Sequence, residues 1–155
     1  MLKIDICIVP VAKKRARILI VDDQEILRQG VRALLSDLRP EWQICGEAAD
    51  GDQAVSLAHA LEPDLIILDV GLPRISGFLA ARRIRNLGLK TPILFFTIHE
   101  SDSLAGEVRS AGAQGYIVKS QATRDLVQAI DTILAAGTFF GPEAAAAAAP
   151  EQAGK

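Results

Sequence analysis

Four short apolar runs, each delivering a chemically active residue at its carboxyl end, constrain this chain more than any other feature. Ile18-Leu19-Ile20-Val21 runs into Asp22-Asp23, Leu65-Ile66-Ile67-Leu68 into Asp69, Ile93-Leu94-Phe95-Phe96 into Thr97, and Tyr116-Ile117-Val118 into Lys119. Apolar runs of this length, alternating with helical patterns, predict buried parallel strands, and such sheets gather their functional residues at the carboxyl ends of the strands. Three carboxylates, a hydroxyl and an ammonium are therefore expected to converge in one crevice.

Between the runs the apolar spacing turns helical. Leu27, Val31, Leu34, Leu35 and Leu38 mark a first helix closed by Pro40, and Trp42 to Glu47 reads as a further strand. Asp50-Gly51 is read as a turn, Ala54, Leu57, Ala58 and Leu61 as the buried stripe of a second helix, and Pro63 as its end. A third helix starts near Ser76, a suitable N-cap, and stops around Gly88. Leu104, Val108 and Ala111 mark a fourth; Leu126, Ile130, Ile133 and Leu134 mark a fifth, with Gly137 as its stop. Five strands alternating with five helices predict an α/β domain, a doubly wound parallel sheet with helices on both faces. A crevice between the first and third strands fits the flavodoxin-like order 2-1-3-4-5.

At 155 residues the chain has room for one well-buried domain. We expect this domain over residues 17–142, an N-terminal extension over 1–16 and an alanine-rich, low-complexity tail over 143–155. A net charge of −2 gives no overall bias toward nucleic acid or membrane. The apolar runs are far shorter than a bilayer span needs, and the basic cluster Lys13-Lys14-Arg15-Arg17 follows the apolar part of the N-terminus, the reverse of a secretory signal. A cytoplasmic protein with no direct nucleic-acid or membrane partner is expected. Cys7 and Cys45 read as ordinary reduced thiols.

Three facing carboxylates repel one another unless one is protonated or a cation sits between them. Mg²⁺ suits such a set, taking one or two carboxylates and a phosphate oxygen while keeping water. Asp22, Asp23 and Asp69 are the right ligand type. A carboxylate there can also attack phosphorus, and Asp69 is the natural candidate, with Lys119 and Thr97 offering an ammonium and a hydroxyl to the equatorial oxygens. Taken singly these residues have plainer readings: an N-cap for Asp22 or Asp23, a solvated charge for Lys119, a core aromatic for Tyr116. Arg74, Arg82, Arg83 and Arg85 read as a solvated basic face, His59 as a surface residue, and His99 as a loop residue bordering the site.

Val21-Asp22-Asp23, Leu68-Asp69-Val70-Gly71-Leu72-Pro73 with Gly77 downstream, Thr97, and Tyr116 three before Lys119 together resemble the response-regulator receiver domains of two-component signalling. The resemblance runs from about Arg17 to Pro142. It implies that Asp69 is the phosphoacceptor and that Asp22, Asp23 and Asp69, with the backbone carbonyl of Gly71, hold Mg²⁺. Thr97 and Lys119 would meet the phosphoryl oxygens, and Thr97 and Tyr116 would switch the fold between two packings. It also implies a sensor histidine kinase or phosphotransfer protein as phosphodonor, a downstream target protein, and a homodimer as a further option.

Gly115 to Ser120, Leu126, Ala129-Ile130 and Ala136 to Glu143 look like the subgroup whose receivers precede a LuxR-type helix-turn-helix. The alanine-rich remainder cannot form such a domain, so the chain is expected either to stand alone or to be part of a longer protein. Two departures stand out: Ser120 replaces the proline that often follows the lysine, and Ile98 is bulkier than the usual neighbour of the hydroxyl residue. The rivals are a degenerate receiver that acts only as an interaction module and an aspartate-nucleophile phosphohydrolase of the haloacid-dehalogenase type. The latter needs a second aspartate where Gly71 stands.

Overall fold

The structure is a computed structural model that describes residues 15–98 and 100–140. The expected extension, apart from Arg15 and Ala16, the tail, Cys7 and His99 lie outside the described residues. Strands β1 (Arg17–Val21), β2 (Gln43–Ala48), β3 (Leu65–Asp69), β4 (Ile93–Thr97), β5 (Gly115–Val118) and β6 (Phe139–Phe140) form one sheet in the order β2-β1-β3-β4-β5-β6. Every pairing is parallel. Helices α1 (Glu25–Leu38), α2 (Gly51–Leu61), α3 (Gly77–Asn86), α4 (Leu104–Ser110) and α5 (Ala122–Leu134) alternate with the strands, and a 3₁₀ turn, Lys119–Gln121, leads into α5.

The period-two alternation of the strands divides the core into two layers. Leu19, Val21, Ile66, Leu68, Phe95 and Tyr116 pack with apolar residues of α2, α3 and α4, whereas Ile18, Ile20, Ile67, Leu94, Phe96 and Ile117 pack with α1 and α5. Each wholly buried Leu, Ile or Phe contributes roughly 1.5–3 kcal/mol relative to exposure. The central strands are buried on both faces, which is why they read as continuous apolar runs rather than alternating ones.

The sheet carries six strands where five were expected. β6 runs parallel to β5, with Gly115 opposite Phe139 and Tyr116 opposite Phe140. A Cβ on Gly115 would lie 1.9 Å from the Phe139 carbonyl oxygen, so glycine is what lets the sixth strand approach. A two-residue strand has no periodicity to read.

Two boundaries and the burial of one residue also differ. Asp50 is the N-cap of α2, its side chain accepting from the Gln53 amide at 2.8 Å, so Gly51 begins the helix instead of forming a separate turn. Helix α5 ends at Leu134 and not at Gly137: Ala136 takes the left-handed conformation, φ 72°, while the Ala136 and Gly137 amides donate to Ile133 and Thr132 carbonyls. Leu38, read as part of the α1 stripe, is exposed. The Ser76 cap is as expected, its hydroxyl accepting from the Leu79 amide.

Candidate functional site

The turn after β1 lies beside the end of β3, because β1 pairs with β2 on one side and β3 on the other and the chain direction of winding reverses there. Asp22, Asp23 and Asp69 meet at this point, each offering a carboxylate oxygen within 4.8 Å of the others. Asp22 and Asp69 are buried; Asp23 is exposed. Lys119, from the end of β5, reaches across the edge to place its ammonium 2.8 Å from Asp22 Oδ2 and 3.2 Å from Asp69 Oδ1. Asp23, Gln24, Asp69, Val70, Gly71, Thr97, Ile98 and Lys119 line a cleft of about 320 Å³.

The plain reading of Asp22 and Asp23 as helix caps does not hold. Gln24 occupies the N-cap of α1 and gives it no side-chain bond, while Asp22 Oδ1 accepts the Gln24 amide at 2.9 Å. Asp22 Oδ2 is buried and accepts no hydrogen bond, leaving the ion pair with Lys119 as its compensation. Burial, and after it the neighbouring Asp22 carboxylate, pushes the Asp69 carboxyl above its ordinary range against the opposing pull of Lys119 and the Gly71 amide. That amide donates to Asp69 Oδ1 at 3.3 Å. An oxygen-only donor set whose crowded negative charge is met by one lysine fits a hard divalent cation.

Thr97 is buried at the end of β4. Strand parity puts it on the same face as Phe95, and Phe95 is opposite Tyr116 on β5. Tyr116 is buried, its hydroxyl donating to Glu100 Oε2 at 2.8 Å and its ring meeting Phe140 edge-on at 6.1 Å. Ile98 is 61 % exposed at the mouth of the cleft. Ser120 lies within the 3₁₀ turn that carries Lys119.

Sequence reasoning missed Glu100, Arg28 and Glu47. Arg28 on α1 donates to the Asp22 carbonyl oxygen at 2.5 Å and to Glu47 Oε1 at 2.9 Å, and Arg32 also pairs with Glu47. A single arginine at helical spacing carries no signal that it turns inward. The expected basic face is also divided: Arg74 and Arg83 pair with Asp52 at the surface, but Arg85 turns in to bond the carbonyls of Leu89, Thr91 and Gly112. His59 is exposed, as read.

A doubly wound sheet with an aspartate trio, a hydroxyl and a lysine at one edge is the architecture of a signalling receiver. The chain belongs to the response regulator receiver domain family, whose description residues 18–131 match. It is 38 % identical over 117 residues to the nitrate/nitrite response regulator protein NarL of Escherichia coli K12, covering 74 % of this chain and 53 % of that protein. With the transcriptional regulatory protein DegU of Brevibacillus brevis it shares 29 % identity over 86 % of this chain and 56 % of that protein. The chain thus spans little more than half the length of these curated relatives. A LuxR-family two-component response regulator from Aurantimonas sp. SI85-9A1 superposes with a TM-score of 0.80 at 38 % identity, over 90 % of this chain and 99 % of that one. The receiver domain of a response regulator NarL from Mycobacterium tuberculosis gives 0.74 at 29 % identity, over 79 % and 98 %.

Proposed function

We propose that this chain is a live phosphoacceptor receiver, in which Asp69 takes a phosphoryl group in a Mg²⁺-dependent reaction from a sensor histidine kinase or phosphotransfer protein. The domain covers residues 17–142, with 1–16 and 143–155 outside it, and acts in the cytoplasm. The observation that carries the reading is the convergence of Asp22, Asp23 and Asp69 with Lys119 bonded between two of them. Asp22, Asp23, Asp69 and the Gly71 carbonyl would hold the metal, which neutralises charge on the incoming phosphoryl oxygens.

Asp69 is the nucleophile: a carboxylate oxygen forms the bond to phosphorus as the donor's bond breaks, leaving an acyl phosphate. Lys119 and the Thr97 hydroxyl then face the new charge, about −1.5 to −2, at the end of β4 and β5. Drawing Thr97 toward the phosphoryl group alters the layer it shares with Tyr116 and α4, and the changed packing is the output, read by a downstream target protein. The protein acts as a phosphoryl acceptor in signalling rather than as an enzyme with a released product.

The test is binding of beryllofluoride with Mg²⁺, followed by fluorine NMR, in the wild type and in Asp69→Asn. A bound signal in the wild type alone supports the reading. Equal behaviour of the two proteins, or a wild type that binds nothing, marks an interaction module that works without phosphorylation.

A further inference from the structure

We propose that Arg28 is a positioning residue for the Asp22–Asp23 pair, holding the peptide between them in the orientation that divalent-cation binding requires. The inference rests on the receiver reading above and concerns a residue outside the acidic, hydroxyl and lysine set.

Asp22 is tied on every side, its Oδ2 paired with the Lys119 ammonium at 2.8 Å. Its amide donates to the Ala48 carbonyl of β2 at 3.1 Å, and its Oδ1 accepts the Gln24 amide at 2.9 Å. Its carbonyl oxygen accepts Arg28 Nη1 at 2.5 Å. That carbonyl belongs to the planar peptide whose other half is the Asp23 amide, so rotating it changes ψ of Asp22 and φ of Asp23 together. The relative direction of the two carboxylates follows from that one plane. Asp23 is exposed, and the backbone hold on its neighbour fixes where its side chain starts.

The clamp is itself braced. Arg28 Nε donates to Glu47 Oε1 at 2.9 Å, so the guanidinium is held between α1, β2 and the β1 turn, while Arg32 meets only the other oxygen of Glu47. Its side chain is only 15 % exposed. A fork of donors serves two acceptors in fixed directions, which a lysine ammonium cannot reproduce.

The sign of the effect separates positioning from charge. A nearby cation acting only through its field opposes Mg²⁺, so its removal would tighten binding. Loss of a positioning contact weakens binding, typically by tenfold or more where an outer contact orients a metal ligand.

The experiment titrates Mg²⁺ alone by calorimetry into wild type, Arg28→Ala, Arg28→Lys and, as a control of the same charge, Arg32→Ala, with thermal melting in a chelator run alongside. Arg28→Ala should raise the Mg²⁺ Kd about tenfold. Arg28→Lys, which serves if the alanine variant does not fold, should raise it about threefold. Arg32→Ala, which shares Glu47 but does not touch Asp22, should stay within about twofold. An Arg28→Ala protein that melts lower yet keeps the wild-type Kd, or that binds more tightly, overturns the inference alone. A wild type that takes up no Mg²⁺ overturns the receiver reading and this inference with it.

Discussion

Lys119 lies closer to Asp22 than to Asp69, its ammonium 2.8 Å from one carboxylate and 3.2 Å from the other. The lysine is therefore the cation that compensates the buried Asp22 Oδ2, and on the proposed reading Mg²⁺ competes with it for that carboxylate. Lys119→Ala should bind Mg²⁺ about tenfold more tightly, since a competing charge is gone. The same variant should accept phosphoryl groups about a hundredfold more slowly, because a preorganised donor for the developing charge is lost. Calorimetry and phosphorylation rates measured on one preparation would show the two parameters moving in opposite directions; movement together would contradict the competition.

Ile98 stands 61 % exposed on the lip of the cleft, beside Thr97. Truncation to alanine opens the path to Asp69 without touching the carboxylates. Phosphorylation by acetyl phosphate and decay of the product should both quicken by about threefold, a barrier change of under 1 kcal/mol. Unchanged rates in Ile98→Ala would remove any gating role.

Gly77 begins α3 directly beneath Asp69. A Cβ there would sit 2.1 Å from the Asp69 carbonyl oxygen, which is backbone and cannot swing aside. Gly77→Ala should cost about 3 kcal/mol in urea unfolding and displace the end of β3. A variant of wild-type stability would mean the helix shifts freely, and Asp69 would then be less rigidly held than the packing implies.

Glu47 is held below the usual carboxylate range, first by the Arg32 hydrogen bond and also by the bond from Arg28, against the cost of burial. A lowered folded value means its contribution is present above the ordinary 4.5 and is lost as pH falls through the folded value. Glu47→Gln should therefore be less stable than wild type by about 1 kcal/mol at neutral pH, with the gap closing below 4.5. A gap that persists in acid would assign the loss to packing rather than to charge.

The four apolar runs made the central sheet and the meeting of Asp22, Asp69 and Lys119 legible, because a strand buried on both faces leaves a continuous signature and its last residue has a defined place. What escaped reading was local. The sixth strand depends on the missing Cβ of Gly115 and on two phenylalanines too few to form a pattern. The end of α5 turns on Ala136 adopting a left-handed conformation that glycine adopts more readily, so the adjacent Gly137 drew the expected stop past the helix's last residue, Leu134. Arg85 and Arg28 were unreadable for another reason: whether a long cationic side chain turns outward or inward depends on partners that only the fold brings near, Gly112 for the first and Glu47 of β2 for the second.

The most direct test of the account is covalent. After incubation with Mg²⁺ and acetyl phosphate, intact-mass measurement should show one added phosphoryl group on the wild-type chain, localised by borohydride trapping to the peptide bearing Asp69, and none on Asp69→Asn. Modification of the asparagine variant to the same extent, or trapping at another residue, would contradict it.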